Sequence, residues 1–202
     1  MDGFLTTLAE QAGTYSPVEL IAVLLAIAYL LLAIRQNIWC WLCAGISTAI
    51  YVYLFFDAKL YMQSVLNAYY FSMAIYGLRV WSSAGTDAAQ LPVTIWPVRV
   101  HAVAIAAILM IGAANGFLMH KFTDAVYPYI DALTTWGAMW ATFLLARKVL
   151  ENWWYWLVID FVLIIIYWLS DLELTAMLYL VYVIMIPFGL MSWTRSWRRQ
   201  AA

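Results

Sequence analysis

Seven long apolar runs alternate with short polar connectors along this chain of 202 residues. An apolar run of roughly 20 residues is long enough to cross the hydrocarbon core of a bilayer as a helix. The pattern therefore predicts an all-α membrane protein with seven transmembrane helices, in one transmembrane domain that covers residues 1–202. The predicted spans are 18–34, 38–56, 60–80, 100–119, 129–146, 153–169 and 172–193.

Polar and aromatic side chains recur at helical spacing within several of these runs. Side chains three, four or seven positions apart share one face of a helix. Because polar groups are costly at membrane depth, such faces are expected to point into the bundle or a cavity. The candidate substrate-binding residues are Gln63, Asn67, Tyr70, Trp136, Trp140, Asn152, Trp153, Trp156 and Asp160.

The chemistry of these candidates suggests the kind of ligand they would bind. Trp153 and Trp156 lie one helical turn apart, and Asp160 follows one turn later. Indole faces attract a flat cation, and a carboxylate adds charge complementarity. Asn67 and Gln63 contribute amide donors and acceptors. The set favours a flat ring with polar substituents. The alternative is that the tryptophans only pack the helices or lie in the interfacial belt.

Composition agrees with a membrane protein, and the distribution of charge predicts its orientation in the membrane. The chain is 67% hydrophobic and 10% charged, far from the average of a soluble domain. Eight of its Lys and Arg residues fall on the side of the first connector, whereas Lys59 and Lys121 fall on the opposite side. The positive-inside rule predicts an external N-terminus and a cytoplasmic C-terminus. The net charge of −1 gives no indication of a nucleic-acid partner, so the expected partners are the bilayer and a small molecule.

Two parts of the chain resemble each other. Gly77 and Trp81 close the third run, and Gly189 and Trp193 close the seventh at the same spacing. The basic connector after the first run also resembles the one after the fifth. Two such units separated by one helix must be parallel, an arrangement in which transporters place the site at the repeat interface. Chance similarity among Trp-rich helices is the alternative. The predicted parts are repeat one at 18–81, a linking helix at 100–119 and repeat two at 129–193.

Several absences narrow the function. No GxxxxGK[ST] sequence occurs, so ATP hydrolysis by a P-loop is excluded. No clustered nucleophile, base or metal-ligand set appears, so no enzyme activity, metal or cofactor is expected. Cys40 and Cys43 lie in an apolar run and are interpreted as packing residues, because a redox CxxC site needs an electropositive, partly exposed setting. No Arg or Lys lies at mid-membrane, so a phosphate would stay unneutralised and the cargo is expected to be neutral or cationic.

Three segments resemble the PnuC family of vitamin transporters. The sequence RKVLENWWYW at 147–156 matches the family signature RK-xx-ENW-xx-W. The sequence PYID at 128–131 fits the family's P-x-x-D before the fifth span, and QSVLNAYY at 63–70 fits its third-span polar segment more loosely. The resemblance extends over nearly the whole chain, from Val18 to Trp197.

The resemblance implies a fold, a mode of transport and roles for individual residues. The family has a SWEET-like bundle of 3+1+3 helices, forms trimers in the bacterial cytoplasmic membrane, and works by facilitated diffusion with cytoplasmic phosphorylation that traps the cargo. Its members carry nicotinamide riboside, and relatives carry thiamine, riboflavin or deoxynucleosides. Trp153 and Trp156 would be the family's tryptophan pair, and Asn67 and Gln63 its third-span polar contacts. Asp160 stands where some members have Asn.

We therefore expect facilitated diffusion of an unphosphorylated vitamin precursor, with nicotinamide riboside preferred. Thiamine is the alternative cargo, because it is also a flat cation that tryptophan stacking and Asp160 would suit. Proton-coupled transport through Asp131 or Asp160 is the alternative mechanism. Rocking of one repeat against the other would alternate access, with Pro187 and Gly189 as candidate bending points.

Overall fold

A computed structural model describes residues 17–57, 61–82, 91–170 and 172–201. The N-terminal 16 residues of the expected domain, the start of the third span at residue 60, Lys59 and most of the polar stretch before the fourth helix lie outside the described residues. The described residues form seven helices and no named strand, which confirms the all-α prediction. These are α1 (Pro17–Ile34), α2 (Trp39–Asp57), α3 (Tyr61–Ser82), α4 (Val98–Phe122), α5 (Pro128–Ala146), α6 (Asn152–Leu169) and α7 (Glu173–Ala201).

The helices differ in how apolar they are. Four segments are long and apolar enough to cross a membrane by length and composition alone, and α1 contains a shorter apolar segment, Leu20–Ile34. The four segments are Trp39–Asp57, Val98–Phe122, Asn152–Leu169 and Thr175–Gln200. The remaining helices are α3 and α5; their side chains of Ser64, Asn67 and Thr142 are buried, whereas those of Gln63 and Ser72 are exposed. Even the shortest helices have 18 residues, a length of about 27 Å.

The helices pack in two groups of three. In the first unit α1 contacts α2 and α2 contacts α3, and in the second unit α5 contacts α6 and α6 contacts α7. The units meet where α3 packs on α5 and where α1 packs on α7. Among the described helices α4 packs mainly on α5, and its His101 also lies 3.0 Å from the Tyr155 hydroxyl of α6. It packs on α5 through Gly112 and Gly116, whose lack of a side chain brings the backbone against Leu133 and Tyr129.

Equivalent contacts recur in the two units at residues 112 positions apart. Trp41 packs against Gly77 in the first unit, and Trp153 packs against Gly189 in the second, so tightly that a Cβ at either glycine would overlap the indole. Glycine at these positions allows the helix backbone to approach the ring. Gly189 is thus a packing position in this structure, within an α7 that stays helical through Pro187.

Trp81 and Trp193 make a second set of matched contacts, partly within their own unit and partly with the other unit. Trp81 forms an edge-to-face pair with Trp41, with ring centroids 5.4 Å apart, and Trp193 forms the same pair with Trp153 at 5.5 Å. The Trp81 indole N–H donates to the carbonyl of Ala146, and that of Trp193 donates to the carbonyl of Ala33, each at 3.0 Å. Each unit therefore hydrogen-bonds to the last turn of the other unit's first helix.

The two connectors that carry the basic residues meet at one end of the bundle, which we call the basic end. Gln36 and Lys148 both have a positive φ, of 54° and 51°, which is uncommon for residues other than glycine. The Lys148 ammonium lies 3.5 Å from the Gln36 Oε1 and 4.4 Å from the centre of the Trp81 ring. The Gln36 amide donates to Ser196 at 2.8 Å. Lys148 is only 2% exposed, and burial lowers its pKa to about 8.

Candidate substrate-binding cavity

A cavity of about 280 Å³ lies between the two units, and we call it the central cavity. All three helices of the first unit and all three of the second contribute to its wall. Its lining residues are Ala26, Tyr29, Leu30, Trp41, Ala44, Ser47, Thr48, Tyr51, Asn67, Tyr70, Thr142, Leu145, Trp153, Trp156, Asp160, Tyr179, Tyr182 and Ile186. Ligand pockets typically combine such an apolar and aromatic wall with a few convergent polar groups.

Buried tryptophans separate the central cavity from the basic end. Trp41 and Trp153 line the cavity and lie in the first turns of α2 and α6, directly after the basic connectors. Behind them Trp81 and Trp193 complete the two edge-to-face pairs, and all four indoles are at most 7% exposed. A close-packed layer of this kind obstructs the movement of a solute. The described residues thus place a layer of four buried indoles between the cavity and the basic end.

One wall of the cavity, formed by α6, presents an indole and a carboxylate. Trp156 and Asp160 are one turn apart and both line the cavity, which places them as their spacing predicts. Asp160 is 4% exposed, and no Lys, Arg or His of the described residues forms an ion pair with it. A buried carboxylate without a cationic neighbour can act as the counter-charge of a positively charged ligand.

A second part of the wall, formed by α2 and α3, presents amide and hydroxyl groups. The Thr48 hydroxyl donates to the carbonyl of Ala44 at 2.7 Å, and the Ser47 hydroxyl donates to the carbonyl of Ala22 at 2.9 Å. The Asn67 Nδ2 donates to the carbonyl of Gln63 at 2.9 Å. Because the hydroxyl hydrogens of Ser47 and Thr48 are directed to the backbone, their oxygens remain available as acceptors, and the Asn67 Oδ1 is an acceptor as well.

Four of the residues predicted to bind substrate lie outside the central cavity. Trp136 and Trp140 line a separate apolar groove of about 830 Å³ between α3, α4 and α5. Gln63 is exposed, and only its backbone carbonyl reaches Asn67. Asn152 is fully buried at the start of α6, where its Nδ2 donates to the carbonyl of Val149 at 2.7 Å. The structure brings the other five candidates, Asn67, Tyr70, Trp153, Trp156 and Asp160, together around the cavity.

Several lining residues were not predicted. Tyr29 and Tyr51 reach the cavity from the first unit, and Tyr179 and Tyr182 reach it from α7. Hydroxyl-bearing side chains in an apolar run give no strong sequence signal, because Ser, Thr and Tyr are all tolerated in membrane helices. The internal similarity was the usable signal, since Thr48 and Tyr182 lie 112 positions from Asp160 and Tyr70.

Groups that could hold a metal or transfer a proton are sparse in the part of the chain that the structure describes. It contains no cluster of three or more His, Cys, Asp or Glu side chains. Cys40 is buried and Cys43 half-buried, and neither forms a disulfide.

Asp131 lies in the first turn of α5 and does not line the central cavity. Of the two carboxylates considered for proton coupling, only Asp160 is at the cavity.

Two three-helix units that enclose a largely apolar cavity with a few polar groups are arranged as in a membrane transporter. The family model described as "Nicotinamide mononucleotide transporter" matches residues 16–195. The chain belongs to this family of vitamin transporters, the PnuC family, as the signature at 147–156 suggested.

Named relatives and a solved structure agree with this assignment. The nicotinamide riboside transporter PnuC of Escherichia coli (strain K12) is 21% identical, over 78% of this chain and 76% of its own. The riboflavin/roseoflavin transporter RibM of Streptomyces davaonensis is 23% identical, over 91% of this chain and 87% of its own. The crystal structure of the vitamin B3 transporter PnuC shares the fold with a TM-score of 0.73 at 22% identity, covering 96% of this chain and 90% of that one.

Proposed function

We propose that this protein carries unphosphorylated nicotinamide riboside across the membrane by facilitated diffusion. The observation that carries the proposal is the central cavity, which combines the Trp156 indole and the Asp160 carboxylate with a wall of hydrogen-bond acceptors. A pyridinium ring is flat and cationic, so an indole and a carboxylate suit it. Ribose hydroxyls are donors, so they suit the acceptor wall.

The charge of the cavity favours a riboside over a mononucleotide, although the family model is named for the mononucleotide. No Lys or Arg is among the lining residues. Recognition of a phosphate in proteins usually relies on such cations or on helix N-termini. Beside Asp160, a phosphate would also meet a carboxylate of like charge. Phosphorylation by a cytoplasmic kinase would therefore trap the cargo after uptake.

The two units would alternate access to the cavity by rocking against each other. We propose that they are a parallel repeat, 18–81 and 129–193, linked by α4, all within one transmembrane domain. The contacts matched at a separation of 112 residues support this arrangement, as does the reciprocal pairing of α3 with α5 and α1 with α7. Parallel repeats that meet at a substrate site are a recurring architecture of transporters.

Charge and family resemblance support a proposal for the orientation and assembly of the protein. With the basic end in the cytoplasm, the N-terminus lies outside and the C-terminus inside, in the cytoplasmic membrane of a bacterium. In this orientation the tryptophan layer lies between the cavity and the cytoplasm. The resemblance to the family supports a homotrimer as the working assembly.

Riboflavin and thiamine are the rival cargoes. RibM, a relative described as a riboflavin/roseoflavin transporter, matches this chain over most of its length. Riboflavin is uncharged, however, and would leave Asp160 without a counter-charge. Thiamine is cationic but lacks the ribose hydroxyls that the acceptor wall would bind. Coupled proton movement through Asp160 is the rival mechanism, and collapsing the pH gradient across proteoliposomes would abolish it while leaving facilitated diffusion unchanged.

Binding of nicotinamide riboside, thiamine and riboflavin to the purified protein, followed by calorimetry, tests the proposal. We expect the riboside to bind most tightly, and Trp156→Ala to abolish most of this binding without lowering the unfolding temperature by more than a few degrees. Trp154→Ala is the matched control, because Trp154 lies on the same helix but is 55% exposed. Tighter binding of either rival, or normal binding by Trp156→Ala, would contradict the proposal.

A further inference from the structure

Most of the central cavity is lined by residues that correspond between the two units. At a separation of 112 positions, the lining residues of the first unit pair with those of the second six times. The pairs are Leu30 with Thr142, Trp41 with Trp153, Ala44 with Trp156, Thr48 with Asp160, Asn67 with Tyr179, and Tyr70 with Tyr182. Twelve of the eighteen lining residues therefore occupy equivalent positions of the two units.

The most unlike pairs lie on the central helices, α2 and α6. Where α6 presents the indole of Trp156, α2 has only the methyl group of Ala44. Where α6 presents the carboxylate of Asp160, α2 has the hydroxyl of Thr48. The second unit therefore supplies a stacking surface and a negative charge, and the first unit supplies free space and a neutral acceptor.

Thr48 is fixed in the orientation that an acceptor requires. Its hydroxyl donates to the Ala44 carbonyl at 2.7 Å, with the Gly45 carbonyl at 3.3 Å. The hydrogen is directed to the backbone, so the oxygen lone pairs are what a ligand meets. A hydroxyl group of a ligand can donate to this oxygen, whereas a pyridinium ring without such a donor gains nothing from it.

We infer that Ala44 and Thr48 determine specificity and fix the orientation of the cargo. The cationic ring lies against Trp156 in the space that Ala44 leaves, and the sugar points toward α2, where Thr48 accepts a hydrogen bond from a ribose hydroxyl. This inference rests on the proposed transport of a riboside. It adds that the second unit binds the ring of the riboside and the first unit binds the sugar.

Two ligands that differ only in the sugar test the role of Thr48. Nicotinamide riboside is compared with 1-methylnicotinamide, which has the same pyridinium ring with a methyl group in place of ribose. Thr48→Val keeps the shape of the side chain and removes the acceptor. It should weaken riboside binding by about 3- to 10-fold, the value of one hydrogen bond, and leave 1-methylnicotinamide unchanged.

Thr134→Val is the matched control for Thr48→Val. The Thr134 hydroxyl makes the same intrahelical bond, to the Ile130 carbonyl at 2.8 Å, but Thr134 does not line the central cavity. This control should bind both ligands as the parent protein does. Equal effects of Thr48→Val on the two ligands, or no effect on either, would overturn the role of Thr48.

Larger side chains at position 44 test whether the ring of the ligand occupies the space beside Ala44. Ala44→Phe should remove binding of both ligands, and Ala44→Val should weaken both by a smaller factor. Ala49→Phe is the control, because Ala49 is exposed on the outer side of the same helix. Unfolding temperatures identify a variant that misfolds, in which case Ala44→Val decides. Unchanged binding by Ala44→Val would place the ring elsewhere.

The outcomes separate this inference from the proposed function. A parent protein that binds neither ligand overturns the proposed function and the inference with it. A parent that binds the riboside but not 1-methylnicotinamide overturns the assignment of the ring to the Trp156 wall. A parent that binds both, with a Thr48→Val variant that keeps the ratio of the two affinities, overturns the inference alone.

Discussion

The first and second units of this transporter share their packing contacts but differ in their cavity side chains. Trp41 against Gly77 has its counterpart in Trp153 against Gly189, with nearly the same geometry of the adjoining indole pair. By contrast, Ala44 and Thr48 stand where the second unit has Trp156 and Asp160. The contacts that hold the helices at a fixed distance restrict the side chains in both units. Cavity positions meet open space instead of another helix, so the side chains there can differ between the units.

Adding a methyl group at the shared packing positions should give the largest change in stability. Gly77→Ala and Gly189→Ala each place a Cβ into an indole ring, and overpacking of this kind costs about 1–3 kcal/mol. We expect both to lower the unfolding temperature in detergent to a similar extent.

Gly45→Ala is the control for these two substitutions. A Cβ there would lie 3.8 Å from the Cβ of Ala74, an ordinary contact, so stability should stay the same or rise through better helix propensity. A large effect at Gly189 with none at Gly77 would mean that the packing of the two units is not equivalent.

Removing the charge that distinguishes the second unit should have the next largest effect. Asp160→Asn keeps the shape of the side chain and should weaken binding of cationic nicotinamide riboside by about 10-fold, because charge-assisted interactions are stronger than neutral ones. Binding of an uncharged ring such as riboflavin should not weaken. Calorimetric titration of both ligands measures the difference, and equal losses for the two would show that Asp160 acts through structure instead of charge.

Removing either of the reciprocal hydrogen bonds between the units should lower the stability of the bundle by a smaller and similar amount. Trp81→Phe and Trp193→Phe each remove one indole N–H that donates to a carbonyl of the other unit. We expect each to destabilise the bundle by about 1 kcal/mol, read as a drop in the unfolding temperature. If only one of the two substitutions lowers the unfolding temperature, only one of the two hydrogen bonds stabilises the interface between the units.

The equivalent positions at the basic end, Gln36 and Lys148, carry unlike side chains, and this difference should appear only when the pH is changed. Burial lowers the pKa of Lys148 to about 8 from its ordinary 10.5. Between these values the unfolded chain binds a proton that the folded chain does not, so stability should rise as the pH increases from 8 toward 10. Lys148→Met, which keeps the apolar stem near Trp81, should remove this rise, which is measured as the difference between the unfolding temperatures at pH 8 and at pH 10. Gln36→Met should retain it.

The sequence predicted the bounds of the helices well, but it predicted less well what each helix face contacts. Apolar length is set by the bilayer, so all seven helices begin and end near the predicted residues, apart from α7, which continues to Ala201. Spacing also put Trp156 and Asp160 on one face of α6. Periodicity defines a face but not what that face meets. Trp136 and Trp140 do share a side of α5, yet this side lines the groove toward α4.

The internal similarity was the most useful signal and could have been applied further. Used only to define units, it left Thr48, Tyr179 and Tyr182 unnoticed. Applied position by position, it relates each of them to a candidate already chosen, Asp160, Asn67 and Tyr70. It could not have indicated that Gln63 is exposed, since that depends on how far α3 extends beyond its neighbours.

A structure of the protein with nicotinamide riboside bound tests the central claim most directly. We predict the pyridinium ring within about 4 Å of the Trp156 indole and on the Asp160 side of the cavity, with the ribose directed toward Thr48 and Asn67. A riboside bound in the reverse orientation would contradict the division of roles between the units. A riboside found in the groove beside Trp136 and Trp140 would contradict the assignment of the central cavity itself.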